Sequence, residues 1–121
     1  MMKIRNAQME RFERTMLERQ APELLQFVRQ VLPAVVEQLG DATCLELLRN
    51  LMADAYEQGF QSLDDVQTPA LLALRWGDLR AVPWIAEVYL DTRVPVSVRL
   101  AELRRREDEI LLGAVAEDEG D

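Results

Sequence analysis

The stretch "DATCLELLRNLMADAYEQG", residues 41–59, decides the fold because it carries the clearest helical period in the chain. Its apolar side chains recur at spacings of three and four residues: Leu45, Leu48, Leu51, Met52, Ala55 and Tyr56. Asp41 is suited to cap the start of a helix, and Gly59 is suited to end it. The stretch therefore predicts an amphipathic helix with one face in a core.

Three further helices are predicted on the N-terminal side of this stretch. Asn6 is suited to cap the first, in which an apolar stripe falls on Met9, Phe12, Met16 and Leu17. Such a stripe either packs into the core or docks on a partner protein. Pro22 suits the first turn of a second helix, and residues 33–40 predict a short third helix that ends at a glycine.

Two helices are predicted directly after residue 59. Ser62 with Asp65 resembles a capping box at the start of the first of them. Pro69 either kinks this helix on its way to Trp76 or restarts it as a first-turn proline. Pro83 then opens a short helix with an apolar side.

A last helix is predicted from about Val96. We expect its inward side chains to be apolar, namely Val98, Leu103, Ile110 and Leu111. The segment "RLAELRRREDE" is expected to form its solvated outer band, with an ion pair between Glu102 and Arg106 four residues apart.

These elements predict an all-α fold, a compact single-domain bundle of about five to seven helices, some of them short. A helix-to-helix corner is expected at 77–83. The 121 residues fit one domain, and 49% hydrophobic residues suffice for one core. We place the helical domain at 1–115 and expect an acidic, disordered tail at 116–121.

The chemical groups of the chain argue against catalysis. Histidine is absent, which removes the commonest general base and metal ligand. Cys44, the only cysteine, lies among leucines and is expected to be buried. Asp64 and Asp65 beside Asp78 suggest a metal cluster, but the dipole of a helix start explains the aspartate pair without one. We therefore predict no catalytic residues, no metal and no cofactor.

The charge distribution argues against nucleic acid as a ligand. The net charge is −8, and residues 33–92 carry 3 basic against 10 acidic side chains. Such a surface repels phosphate backbones, which also disfavours a helix-turn-helix regulator. No apolar run is long enough to span a bilayer, so we expect a cytoplasmic protein that does not bind membranes.

The segment "WGDLRAVPW", residues 76–84, is the densest cluster of binding-type side chains. Both tryptophans, Trp76 and Trp84, flank the predicted corner, where they either roof the core or form a docking surface. Arg80 belongs to the same candidate surface, and Asp78 either pairs with it or caps the turn. The candidate partner-binding residues are Arg5, Met9, Phe12, Met16, Trp76, Asp78, Arg80 and Trp84.

Three segments carry a family resemblance: "MKIRNAQMERFE", "LRNLMADAYEQGFQSLDDV" and "ALRWGDLRAVPWIAEVYLD". Their order resembles the small helical proteins encoded in type VI secretion gene clusters beside a spike protein, a toxic effector and its adaptor. The most specific part is an I-R-x-x-Q-M-x-x-F pattern over residues 4–12. A second family pattern, Y-G-I-x-x-x-x-D-V, is matched over residues 58–66 at Gly59, Asp65 and Val66, with Gln58 in place of its tyrosine and Phe60 in place of its isoleucine.

The resemblance implies a co-chaperone that associates with the effector adaptor and helps to load a toxin onto the secretion spike. It implies no catalytic residues, and it implies the adaptor chaperone and its effector as partners. The apolar stripes of the predicted helices also allow a homodimer. The alternative is an immunity protein, because acidic helical proteins can plug the basic cleft of a cognate toxin.

Overall fold

A computed structural model describes residues 19–120, with side chains described up to residue 113. Six helices and no strand occur in that part of the chain, which confirms the all-α prediction. The helices are α1 (19–31), α2 (Pro33–Leu39), α3 (Asp41–Glu57), α4 (Leu63–Trp76), α5 (Pro83–Tyr89) and α6 (Val96–Gly120). The predicted first helix over Met9, Phe12 and Met16 lies outside the described residues.

The core is formed by one continuous cluster of apolar side chains from all six helices and their connections. Helix α3 contributes Cys44, Leu48, Met52 and Ala55 to it, as the period of residues 41–59 predicts. Helix α3 packs on α2 and α4, and α6 packs on α4 and α5. The largest fully buried side chains are Tyr89 and Phe60.

Several predicted helix ends are confirmed and two are wrong. Ser62 caps α4 by accepting a hydrogen bond from the Asp65 N–H at 3.1 Å, and Pro83 begins α5. Asp41 is the first residue of α3 rather than its cap, because Gly40, at φ +86°, takes the cap position. Pro22 lies within the helical residues 19–31 and not at their start.

Pro69 lies inside a single helix α4, so of the two alternatives the restart at Pro69 is wrong. Proline has no backbone N–H to donate to the carbonyl one turn back. Helix α4 nevertheless continues through Pro69, and Pro69 itself lies on the buried face of this helix.

The prediction for the inward face of helix α6 is wrong at three of its four positions. Leu103 is buried as expected, but Val98, Ile110 and Leu111 are exposed. The inward positions instead follow a strict helical spacing through Val96, Arg99, Leu103 and Glu107, two of which are charged. The predicted ion pair is present, with Arg106 Nε 2.8 Å from Glu102 Oε1. Helix α6 continues to Gly120 and so enters the expected acidic tail, whose boundary at 115 stays a prediction.

No helix of the described chain combines the length and the apolar character that a membrane span requires.

Leu47 and Leu48 offer a matched test of the core, because they are adjacent in α3 and only Leu48 is buried. We expect Leu48→Ala to lower the free energy of unfolding by about 2–5 kcal/mol, because the cavity adds to the lost apolar burial. Leu47→Ala is expected to change it by about 0.5 kcal/mol. Urea unfolding followed by circular dichroism measures both, and equal losses would contradict this packing.

Candidate functional site

An apolar groove of about 570 Å³ runs between α3 and α4. Its lining residues come from three segments: Leu47, Leu48, Asn50, Leu51 and Asp54 from α3, Ala70, Ala73 and Leu74 from α4, and Gly77, Asp78, Leu79 and Arg80 from the following turn. Leu47 is 45% exposed, and Leu51 and Leu74 are half-buried. The groove therefore offers partly exposed leucines to a ligand.

The Asp54 carboxylate lines the groove at the C-terminal end of its α3 wall. Its Oδ1 accepts hydrogen bonds from Arg80 Nε at 3.1 Å and Arg80 Nη2 at 2.6 Å, so the arginine binds with both of these nitrogens. Its Oδ2 accepts a hydrogen bond from the Tyr89 hydroxyl at 2.8 Å. Asp54 thus joins α3 to the 77–82 turn and to α5 at one point.

The Tyr89 side chain lies entirely inside the protein. Its ring stacks on Phe60 with centroids 5.3 Å apart and planes 16° apart. Burial raises the pKa of Tyr89 far above its usual range, and the hydrogen bond to Asp54 acts in the same direction, while Arg80 and Arg99 oppose it. The neutral hydroxyl is therefore a structural donor.

The turn that carries Arg80 is shaped by Gly77 and Asp78. Gly77 has φ +99°, a conformation that favours glycine, and it ends α4. Asp78 Oδ1 accepts a hydrogen bond from the Arg80 backbone N–H at 3.0 Å. Of the two alternatives for Asp78, turn capping is therefore observed, while the Arg80 side chain reaches Asp54 instead.

The two tryptophans lie together, with edge-to-face rings whose centroids are 5.4 Å apart. Trp76 Nε1 donates to Glu107 Oε2 at 2.7 Å, and Arg75 Nη1 donates to Glu107 Oε1 at 3.0 Å. The backbone carbonyl of Trp84 accepts a hydrogen bond from Arg106 Nη1 at 3.3 Å. Both tryptophans are half-buried against the core and fasten α4 and α5 to α6.

The structure thus divides the predicted partner-binding residues. Asp78 and Arg80 line the groove, whereas Trp76 and Trp84 pair with each other and with α6. Arg5, Met9, Phe12 and Met16 lie outside the described residues. Sequence reasoning missed Asp54, which lies beside the apolar positions of α3, because its partners are 26 and 35 residues away.

The groove combines a group of paired polar side chains with a mainly aliphatic lining. Its hydrogen-bonding end is occupied by the Asp54, Arg80 and Tyr89 contacts, and its remaining lining is mainly aliphatic. Among the described side chains, no three Cys, Asp or Glu residues are grouped to hold a metal ion. The geometry suits an apolar ligand segment with a polar group placed to meet the Asp54–Arg80 pair.

The buried Tyr89 predicts a specific dependence of stability on alkaline pH. A pKa raised by folding contributes stability that is present below the unfolded value of 10.0 and is lost as pH rises above it. Above that pH, we expect the free energy of unfolding to fall more steeply than in Tyr89→Phe, by up to about 1.4 kcal/mol per pH unit. Urea unfolding at several pH values measures this, and parallel curves would refute it.

Comparison of this chain with family models, with curated proteins and with solved structures finds no match. The likeness to type VI secretion proteins therefore rests on the three sequence segments alone.

Proposed function

We propose that this chain is a cytoplasmic, non-catalytic accessory protein that binds the adaptor chaperone of a type VI secretion effector and assists the loading of the toxin. The observation that carries the protein-binding part is the α3–α4 groove, with its partly exposed leucines and its ion pair at one end. The sequence resemblance supplies the adaptor as partner.

The groove favours an amphipathic helix as its occupant. A helix places apolar side chains at spacings of three and four residues on one face, and these would follow the line of Leu47, Leu51 and Leu74. The Asp54–Arg80 pair and the neighbouring Asp78 offer polar contacts at one end of that line. Because the chain carries a net charge of −8, we expect basic residues beside the apolar face of the partner helix.

The same net charge supports one alternative, an immunity protein that neutralises a toxin by direct binding. Residues 33–92, which include every residue that lines the groove, hold the largest excess of acidic side chains. A basic catalytic cleft would be a complementary partner for such a surface.

The first experiment separates these functions by their partners. The tagged chain is expressed with the products of its immediate gene neighbours, and the proteins that it retains at moderate salt are identified by mass spectrometry. Retention of the adaptor, alone or with its effector, supports the proposal. Retention of the toxin domain alone, with protection of cells that express the toxin, supports immunity. Retention of neither protein contradicts both functions.

Leu47→Glu tests the groove as the adaptor-binding surface. Since Leu47 is already partly exposed, the change should leave the fold intact while it places a carboxylate in the apolar contact. We expect the dissociation constant for the purified adaptor, measured by titration calorimetry, to rise about tenfold or more.

Val98→Glu is the matched control for that measurement. Val98 is 52% exposed on α6, and it is not among the residues that line the groove. The affinity of the Val98→Glu variant for the adaptor should equal that of the unchanged chain. If both substitutions weaken adaptor binding equally, or if neither weakens it, the adaptor does not bind in this groove.

A further inference from the structure

Three of the residues that line the α3–α4 groove carry a charge, namely Asp54, Asp78 and Arg80. Arg80 binds Asp54 with two of its nitrogens, so the charge of Asp54 is compensated within the chain. Asp78 forms no ion pair with any residue in the described part of the chain. Two acidic side chains and one basic side chain give the lining a net charge of −1, and Asp78 is its uncompensated member.

The position of Arg80 explains why Asp78 stays uncompensated. Asp78 accepts a hydrogen bond from the backbone N–H of Arg80, a contact in which the guanidinium takes no part. The guanidinium binds Asp54 instead, and this hydrogen bond raises the pKa of Arg80 above its usual range. The charge of Glu57, three residues after Asp54 on α3, acts in the same direction. The cation of the groove is thus held by the carboxylates of α3, and none is left for Asp78.

A partner that supplies a cation would complete this charge pattern. Asp78 is exposed and lines the groove together with aliphatic side chains. Lysine and arginine suit such a place, because their aliphatic stems pack on apolar surface while the charged head group extends to an acceptor. An acidic side chain of the partner would instead meet the carboxylates of Asp54, Glu57 and Asp78. Those three negative charges are opposed by one arginine, so like charges would repel it.

We propose that the partner helix carries a lysine or arginine at the border of its apolar face, that Asp78 binds this side chain, and that Arg80 serves as the internal counter-ion of Asp54. The inference rests on the proposed function, because it names the chemistry by which the same groove selects its partner. It places the charged contact at one residue, which the net charge of the whole chain does not do. Arg80 then makes no contact with the partner, contrary to the prediction from the sequence.

Variants at the two positions test this proposal because their expected effects have opposite signs. Asp78→Asn removes the charge but keeps a side-chain oxygen to cap the turn, and Arg80→Gln keeps an amide donor for Asp54. Titration calorimetry at low salt measures the dissociation constant of each variant for the purified adaptor. We expect Asp78→Asn to raise it about threefold to fivefold and Arg80→Gln to lower it about twofold. Asp78→Lys, which reverses the charge, should raise it about tenfold or more.

Glu37→Gln is the matched control for the loss of one negative charge. Glu37 is exposed on α2 and is not among the residues that line the groove. The affinity of the Glu37→Gln variant for the adaptor should equal that of the unchanged chain. At 1 M salt the screening length falls to about 3 Å, so the effects of Asp78→Asn and Arg80→Gln should largely disappear. Circular dichroism checks that each variant is folded.

Three results would overturn the proposal. If Asp78→Asn has no effect and Arg80→Gln weakens binding, the partner brings an acidic group to Arg80. If both variants weaken binding, Arg80 makes a contact of its own. If neither variant changes the affinity while Leu47→Glu lowers it, the groove binds the adaptor through apolar contacts alone, and the proposed function stands without this inference. If Leu47→Glu has no effect either, the adaptor does not bind in this groove, and both fail.

Discussion

The hydroxyl of Tyr89 makes the interaction on which the rest of the structure depends. It donates to Asp54 of α3, its ring stacks on Phe60 after α3, and its backbone carbonyl accepts a hydrogen bond from Arg99 of α6. A buried hydroxyl without a partner would cost about 1–3 kcal/mol, so α5 packs where this acceptor is available. One side chain thus sets the positions of three helices.

The groove is a consequence of that arrangement. Asp54 uses its second oxygen to hold Arg80, and the turn after α4 is thereby drawn towards α3. On the opposite side of α4, Glu107 binds Trp76 and Arg75 and fixes that helix to α6. Helix α4 is therefore held through polar contacts near its C-terminal end, while its apolar contact with α3 remains partly open to solvent.

Local patterns predicted the helices well because they depend on near neighbours. The serine cap of α4, the proline at the start of α5 and the buried face of α3 all follow from spacings of a few residues. The inward face of α6 was predicted wrongly, because Arg99 and Glu107 are buried through partners in other helices and apolar content alone points to Val98. The role of Asp54 was missed for the same reason, because its hydrogen-bonding partners are 26 and 35 positions away in the sequence.

The contacts of Arg99 restrict which sequences can adopt this fold. Its guanidinium lies 4.6 Å from the Phe60 ring and donates to the carbonyls of Val94 and Tyr89. A Cβ atom on Gly59 would lie 3.1 Å from its Nη2 atom. Lysine has a single ammonium group and cannot serve both carbonyls and the ring with the same planar geometry. Evolutionary drift at position 99 is therefore coupled to drift at 59 and 60, and these three positions are expected to change together or not at all.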